Sequence, residues 1–280
     1  MNSSYFIVKV LDSTLSLYQA LLQEENDNIS LMLKFVAKWS WLLWCWLEIS
    51  VFTLVLYAIS WLPTALTGRY YHELSRVWCR LFVRALGIDL RLHQKNVLEL
   101  PEQYILISNH PSALEDFAIP ALFDIYPLAK QGVRHWYFIG RIGYRSGTIF
   151  VKRGDAESRS SAREALTAAV NQGRNIAIFP EGGCKGRRIY TSFQTGAFDI
   201  SIKTGVPILP VFIHYEEQDT FEWHDPHTVL HKFWHYMTAK NNRANYYVYD
   251  AISPEGFSDK REFAEHVRQR YLQWQQRYLD

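Results

Sequence analysis

Residues 108–116 have the sequence SNHPSALED and join two elements of different kinds. The run before them, Tyr104 to Ile107, is short, apolar and rich in β-branched residues, which is typical of a buried strand. The run after them, 117–123, has the pattern of a helix start. A residue before proline is driven out of the helical region, so we expect His110 in the connecting loop. Pro111 suits the first helical turn, where its missing N–H is not needed.

This loop carries a candidate acid–base pair. Glu115 and Asp116 follow His110 by five and six residues, so either carboxylate can reach the imidazole from the start of the helix. A carboxylate there would fix one tautomer and raise the basicity of the other ring nitrogen, as a general base requires. A structural role is the alternative. Ser112 and Glu115 have the spacing of a capping box, which would occupy Glu115 with backbone donors.

Two later stretches also place charged residues after apolar runs. Residues 147–153 (GTIFVKR) end in Lys152 and Arg153, and a guanidinium at that point can hold a phosphate in a bidentate fork. The plainer interpretation is a surface pair of cations. Residues 179–188 (FPEGGCKGRR) place Glu181 before two glycines that permit close backbone approach. Glu181 is a candidate for binding a hydroxyl or orienting a cation, with a plain acidic turn as the alternative. The spacing of a nucleotide-binding phosphate loop is absent.

The pattern from residue 88 onward alternates strands and helices. Strand-like runs lie at 88–92, 104–108, 135–139, 148–152, 175–179, 208–213 and 246–252, and helical patterns lie at 158–171, 195–204 and 259–278. Such alternation predicts an α/β fold with a mostly parallel central sheet flanked by helices. Chemistry is then expected at the carboxyl ends of the strands. His110, Arg153 and Glu181 each follow a predicted strand, so one sheet edge can gather all three.

The segment before this domain is apolar. Residues 39–66 form the most hydrophobic stretch, and at ~1.5 Å per helical residue they can cross a hydrocarbon core of roughly 30 Å. Tryptophans cluster near both ends, as interfacial aromatic residues do: Trp39, Trp41, Trp44, Trp46 and Trp61. Glu48 is unfavourable in this setting, because an acid at the bilayer centre costs roughly 2.5 kcal/mol or more. Pro63 is expected to end or kink the helix. Residues 70–86 have an amphipathic pattern with a basic face, suited to an anionic lipid surface, and a solvated charged face is the alternative.

These patterns predict three parts: an amphipathic and linker segment at 1–30, a membrane-associated helical hairpin at 31–87, and an α/β domain at 88–280. Crossing the bilayer and dipping into one leaflet both remain open for the hairpin. The net charge of +2 is too small to indicate a nucleic-acid partner. The three cysteines are far apart and form no C-x-x-C motif, so neither disulfides nor a zinc site is expected. For His227, His231 and His235, at helical spacing, packing is favoured over metal binding.

Five segments together resemble the glycerolipid acyltransferase family, whose best-known members are the PlsC-type 1-acylglycerol-3-phosphate acyltransferases. Residues 109–115 are similar to its N-H-x4-D block, with glutamate in place of the aspartate. The other segments resemble its G-x-[IV]-F-[IV]-x-R, F-P-E-G, F-K-x-G-A-F and V-P-[IV]-x-P-V blocks, and they lie at 147–153, 179–182, 193–198 and 206–211. Each block alone is weakly specific, but five in order make coincidence improbable.

The resemblance implies transfer of a fatty acyl group from an acyl-CoA or acyl carrier protein thioester to a lysophospholipid hydroxyl, with 1-acylglycerol-3-phosphate as the first expected acceptor. His110 would be the general base, and Arg153, helped by Glu181 and Gly182, would position the phosphate-bearing head. The remaining residues expected at the substrate site are Gly147, Phe150, Lys152 and Lys185. The resemblance implies no cofactor, metal or covalent acyl-enzyme. It places the protein on a membrane, at the cytoplasmic face of the inner or plasma membrane, with membrane lipid as a partner and no nucleic acid.

Two departures from the family pattern matter. The motif aspartate is Glu115 here, with Asp116 beside it. We prefer Glu115 as the orienting acid because it holds the matching position, and Asp116 remains the second choice. The Thr-Arg that usually follows F-P-E-G is Gly183-Cys184, which removes an expected cation. Candidates to replace it are Lys185, Arg187 and Arg188. The acceptor can therefore be another lysolipid, such as lyso-ornithine lipid, and a catalytically silent lipid-binding protein is the remaining alternative.

Overall fold

A computed structural model of the chain describes residues 28–151, 156–224 and 226–280, so most of the predicted segment 1–30 lies outside the described residues. The helices are α1 (Asn28–Ile59), α2 (Thr64–Ala85), α3 (Glu115–Leu122), α4 (Tyr137–Ser146), α5 (Ala156–Asn171), α6 (Gly196–Thr204), α7 (Gln218–Phe221), α8 (Val229–Thr238) and α9 (Lys260–Tyr278). The strands are β1 (Asp89–Gln94), β2 (Ile105–Ser108), β3 (Tyr126–Lys130), β4 (Ile149–Val151), β5 (Ile176–Ile178), β6 (Ile208–Tyr215) and β7 (Arg243–Val248). The chain divides into two compact units, and the boundary between them follows residue 47, within α1.

The strands form a single mixed sheet in the order β1-β7-β6-β2-β5-β3-β4. Strand β2 pairs in parallel with both β5 and β6, and β3 pairs in parallel with β5 and β4. Among the described strands, the one antiparallel pair is β6 with β7. The predicted α/β fold with a mostly parallel sheet is confirmed. The parallel pairing brings the carboxyl ends of β2, β5 and β6 to one edge.

Both faces of the central strand β2 are covered. Ile105 and Ile107 belong to a core cluster that includes side chains of α5, α6 and α9, and both are fully buried. Leu106 between them points to the opposite face, because successive side chains of a strand alternate, and it is also fully buried. Strands buried on both faces have continuous apolar runs, which is why this strand was recognisable in the sequence.

The N-terminal helices differ in character. Within the described residues, the stretch Met32–Ile59 of α1 is the one helix long and apolar enough to cross a membrane. Pro63 precedes the first residue of α2, in agreement with its predicted role as a helix breaker. The second helix runs back along residues 48–59, and the membrane-associated hairpin predicted for the pair is not confirmed. The polar contacts between them are Tyr71 Oη to the Leu56 carbonyl at 3.1 Å, Trp78 Nε1 to Thr53 Oγ1 at 2.7 Å, and the Arg84–Glu48 ion pair. Arg84 thus neutralises Glu48, the acid whose position in an apolar helix is unfavourable.

Two local predictions were wrong, and one strand was not predicted. Residues 135–139 are not a strand, since a 3₁₀ turn (Gln131–His135) and α4 occupy them. Strand β3 was missed because its sequence, YPLAK, is short and contains a proline. Helix α3 begins at Glu115 rather than at Pro111, because Ser112 Oγ bonds to the Phe221 carbonyl at 2.5 Å instead of capping the helix.

The hydroxyl of Tyr271 joins two strands at the site edge, because it donates to the carbonyls of Ile107 (2.8 Å) and Val211 (3.2 Å). We expect Tyr271→Phe to lower the free energy of unfolding by about 1–3 kcal/mol, since it leaves these buried carbonyls without that donor. Chemical denaturation of the detergent-solubilised protein measures this. Tyr144→Phe is the matched control, with a side chain 56% exposed and little change expected. Equal stability of the two variants would contradict the assignment.

Candidate active site

The predicted base and its partners lie at the carboxyl ends of three neighbouring strands. His110 follows β2, Glu181 follows β5, and Tyr215 is the last residue of β6. Asn109 fixes the start of the loop, because its side chain donates to the Ile213 carbonyl (2.9 Å) and accepts from the Ile213 N–H (2.8 Å). The parallel pairing of these strands therefore brings together side chains that are distant in the chain.

Glu115 is the acid that contacts the imidazole. Its Oε2 lies 2.8 Å from His110 Nδ1 and also accepts the N–H of Ser112 at 3.1 Å. Its Oε1 accepts the hydroxyl of Tyr215. The carboxylate is fully buried, whereas Asp116 is exposed. One oxygen of Glu115 thus takes up the backbone donor expected of a capping box and orients the ring at the same time, so the two interpretations of the sequence do not exclude each other.

Glu181 holds the backbone of the same loop. Its Oε2 accepts the N–H of His110 at 2.9 Å, and its Oε1 accepts the N–H of Tyr190 at 3.1 Å. Burial raises the pKa of Glu181, against the two backbone N–H groups, which lower it. The side chain is 2% exposed. Its observed contacts support the loop, and a direct role in binding substrate stays a prediction.

The other ring nitrogen of His110 faces a thiol. Cys184 Sγ lies 3.4 Å from His110 Nε2 and 3.1 Å from the Ser112 carbonyl oxygen. The Phe179 ring stacks on the imidazole with a centroid separation of 4.0 Å. His110 is 5% exposed, while Cys184 is half-buried at the edge of the site. Glu115, His110 and Cys184 therefore form a continuous acid–imidazole–thiol array.

The electrostatics of the array favour a protonated imidazole at rest. Burial lowers the pKa of His110, but the hydrogen bonds with Cys184 and Glu115 and the charges of Glu115 and Asp116 outweigh it and raise this pKa well above 6.5. Burial, together with the charge of Glu115, raises the pKa of Tyr215 well above 10, so its phenol remains a hydrogen-bond donor to the carboxylate. The ring must lose its proton before it can act as a base.

The predicted phosphate site is described only in part. Lys152 and Arg153 lie outside the described residues. Gly147 ends α4 with φ of 89°, and a Cβ there would come 2.8 Å from the Tyr126 ring, so glycine is required. Phe150 lies in β4, which β5 and β3 separate from β2. The structure brings neither Gly147 nor Phe150 into the His110 array, and their role in binding substrate stays a prediction.

The cations after Glu181 differ in their partners. Arg187 pairs with Glu222 at 2.5 Å and with Asp219, and Arg188 pairs with Asp280 at 2.6 Å. Lys185 Nζ lies 4.6 Å from the centroid of the Tyr190 ring, and no carboxylate of the described residues pairs with it. Gly182, with φ of 78°, provides the turn that leads into this segment. Lys185 is therefore the cation of this segment best able to meet an anionic ligand.

The three histidines of the α8 region pack on one another. The ring centroids of His227, His231 and His235 lie 4.3–5.3 Å apart. Within residues 28–151, 156–224 and 226–280, no group of three or more His, Cys, Asp or Glu side chains is placed to hold a metal.

Sequence reasoning missed three members of the site. Tyr215 was detectable, because it lies two residues beyond the strand predicted at 208–213, at the edge where His110 follows another strand. Tyr236, whose hydroxyl lies 2.5 Å from Ser112 Oγ, gave no local signal. Cys184 was noted only as a departure from a motif, and its contact with the imidazole spans 74 residues of sequence.

Comparison with known proteins places this site in a recognised domain. Residues 89–214 match the family model described as Acyltransferase. A 1-acyl-sn-glycerol-3-phosphate acyltransferase of Neisseria gonorrhoeae is 27% identical over 120 residues, covering 43% of this chain and 47% of that protein. A lyso-ornithine lipid O-acyltransferase of Pseudomonas aeruginosa is 30% identical over 155 residues, covering 55% of this chain and 58% of that protein. The chain thus spans about half the length of these relatives.

A solved structure agrees on the fold. The crystal structure of the 1-acyl-sn-glycerophosphate acyltransferase PlsC from Thermotoga maritima superposes with a TM-score of 0.53 at 20% sequence identity. The match covers 83% of this chain and 98% of that one. The α/β architecture is therefore shared.

The contact between Glu115 and His110 predicts a specific titration. Removing the carboxylate charge in Glu115→Gln is expected to lower the pKa of His110 by about one to three pH units, because the neighbouring charge stabilises the imidazolium. Asp116→Asn should lower it less, since that side chain is exposed. Nitrogen-15 NMR of histidine-labelled protein, with the His110 signal assigned by its loss in His110→Asn, measures both. An equal or larger shift in Asp116→Asn would show that Glu115 is not the partner.

Proposed function

Residues 89–214 belong to the glycerolipid acyltransferase family, and from that premise we propose that the protein is a membrane-bound O-acyltransferase. It transfers a fatty acyl group from an acyl-CoA or acyl carrier protein thioester to the hydroxyl of a lysolipid. The observation that carries the proposal is the buried pair of His110 and Glu115, 2.8 Å apart at the carboxyl edge of the sheet. No cofactor is required by this chemistry.

His110 acts as the general base. In its neutral form, Nε2 accepts the proton of the lysolipid hydroxyl while the hydroxyl oxygen attacks the acyl carbonyl carbon. The carbon–sulfur bond to the donor breaks, and the proton passes to the leaving thiolate. Glu115 holds the reactive tautomer and stabilises the imidazolium that forms. Tyr215 and the Ser112 N–H keep Glu115 in place throughout, because both donate to its carboxylate.

The acceptor is proposed to be 1-acylglycerol-3-phosphate, since an anionic head suits the cations at this end of the domain. Lys185 is the described candidate for the phosphate, and Lys152 and Arg153 join it in the proposal. A lyso-ornithine lipid is the second candidate. The replacement of the usual Thr-Arg by Gly183-Cys184 favours it, because a head with one carboxylate needs fewer cations than a phosphate monoester.

Membrane attachment is proposed to come from α1. Its segment Met32–Ile59 has a mean hydropathy of 2.0, and large apolar side chains such as Leu43 are exposed on it. Cys79 and Cys184 are free thiols, as a reducing compartment allows. We therefore propose that the catalytic domain lies on the cytoplasmic face of the inner or plasma membrane, where the lysolipid enters from the bilayer and the donor from water.

The acceptor is tested with purified protein in detergent. Palmitoyl-CoA and a panel of lysolipids, including lysophosphatidic acid, lysophosphatidylcholine and lyso-ornithine lipid, should give acylated product with one acceptor strongly preferred. His110→Ala should reduce turnover by about 10²- to 10⁴-fold, since it removes the base. His231→Ala, which alters the exposed α8 cluster, is the matched control and should retain activity. Absence of product with palmitoyl-CoA and with palmitoyl-acyl carrier protein, for every acceptor, would favour a catalytically silent lipid-binding protein.

The pH dependence tests the proposed role of the base. Because the raised pKa of His110 keeps it protonated near neutrality, kcat/KM should increase with pH through a midpoint above 6.5. Glu115→Ala should shift that midpoint to lower pH and also reduce the plateau rate, because the ring loses both its charge partner and its orientation. Asp116→Ala should cost less in rate. Equal or reversed losses in the two variants, or a rate that falls as pH rises through this range, would refute the assignment.

A further inference from the structure

The thiol in front of the proposed base is the part of the site that direct transfer does not use. We propose that Cys184 is the acyl-carrying nucleophile, so that the chain transfers its acyl group in two steps through an S-acyl-cysteine. This inference rests on the proposed acyltransferase function and changes its mechanism. The family pattern that the sequence resembles requires no covalent acyl-enzyme, and Cys184 stands where that pattern has an arginine.

The geometry is that of an activated nucleophile. Cys184 Sγ lies 3.4 Å from His110 Nε2, and His110 Nδ1 lies 2.8 Å from Glu115 Oε2. A nucleophile within reach of a base, with the base oriented by a third group, is the arrangement that supports covalent catalysis. The sulfur lies within hydrogen-bond distance of Nε2, the nitrogen that a lysolipid hydroxyl must also reach. The thiol is therefore the first group from which this nitrogen can take a proton.

The surroundings of Cys184 set how it is activated. Burial raises the pKa of its thiol, although the hydrogen bond and the charge of His110 oppose this. A preformed thiolate is therefore not the resting state, and neutral His110 must remove the proton during attack. Cys184 is half-buried in a loop at the sheet edge, so part of its surface is exposed.

The first step exchanges one thioester for another. As the Cys184 sulfur attacks the acyl carbonyl carbon of the donor, its proton passes to His110 Nε2. The new carbon–sulfur bond forms, the bond to the donor sulfur breaks, and the proton passes from His110 to the leaving thiolate. One thioester is lost and one is formed, so the step needs no redox partner and is close to balanced in energy.

The second step regenerates the enzyme. His110 Nε2 takes the proton of the lysolipid hydroxyl, and the hydroxyl oxygen attacks the carbonyl carbon of the S-acyl group. The carbon–sulfur bond to Cys184 breaks as the ester forms, and the proton returns to the sulfur. The S-acylated cysteine has no S–H proton to occupy Nε2. The same nitrogen can therefore take the thiol proton in the first step and the hydroxyl proton in the second.

The chain supplies its own control cysteines. Cys79 lies in α2, where burial raises the pKa of its thiol to about 12, and Cys45 lies in the apolar helix α1. An acyl adduct formed by proximity to lipid would appear at these positions as readily as at Cys184, whereas an adduct formed through His110 would appear at Cys184 alone.

The test uses the full chain in detergent with palmitoyl-CoA and no acceptor. Intact-protein mass spectrometry should show one added palmitoyl group, mapped to Cys184 and removed by neutral hydroxylamine. The adduct should be absent in Cys184→Ala and in His110→Ala, and present in the double control Cys45→Ala/Cys79→Ala. Without lysolipid, the wild-type protein should exchange labelled free CoA into palmitoyl-CoA, as a two-step mechanism requires.

Turnover decides whether the adduct lies on the reaction path. Cys184→Ala should lose about as much activity as His110→Ala. The double variant Cys184→Ala/His110→Ala should lose no more than either single variant, because the members of such an array act as a unit. Cys184→Ser, which keeps the size of the side chain, should retain the wild-type melting temperature and lose turnover as well. Wild-type turnover in Cys184→Ala, or an adduct that decays more slowly than the enzyme turns over, overturns the inference and leaves the proposed function intact. An adduct at Cys184 that no lysolipid discharges would overturn the proposed acceptor class instead.

Discussion

The site depends on one buried carboxylate. Glu115 is fully buried, and a buried charge is tolerated only when it is paired and hydrogen-bonded. Its donors come from different parts of the fold: the imidazole of His110, the backbone of Ser112 in the loop after β2, and the phenol of Tyr215 at the end of β6. The carboxylate therefore fixes the loop against the sheet, and the imidazole is held in one orientation as a consequence of the same requirement.

A second buried carboxylate works on the same loop from the other side. Glu181 follows β5, and its two oxygens accept the backbone N–H groups of His110 and Tyr190. Strand β2 lies between β6 and β5, so the loop after it is held from both neighbours, by Tyr215 through Glu115 and by Glu181 directly. Removing either acid leaves buried donors without acceptors, which couples the stability of this edge to the orientation of the base.

The sequence predicted the framework better than the contacts. The apolar run of β2 identified a strand buried on both faces, and the alternation after residue 88 identified the α/β fold. Strand β3 and helix α4 were misassigned because short mixed runs such as YPLAK carry no clear period. The choice between Glu115 and Asp116 depends on which side chain is buried. The sequence does not reveal this for two adjacent acids in the same helix turn. The contact of Cys184 with His110 depends on how two loops meet, and no local pattern encodes that.

The family pattern that the sequence resembles has an arginine where this chain has Cys184, so the proposed base faces a thiol here. An arginine beside Nε2 would repel an imidazolium and favour the neutral ring, whereas a thiol accepts and donates protons and adds no positive charge. The raised pKa of His110 agrees with this difference, since its hydrogen bond with Cys184 is among the interactions that raise it. Relative to that pattern, the loop lacks a cation that could hold a phosphate and places the proposed nucleophile next to the proposed base. The proposed acceptor and the proposed reaction path therefore both depend on a single residue of the loop after β5.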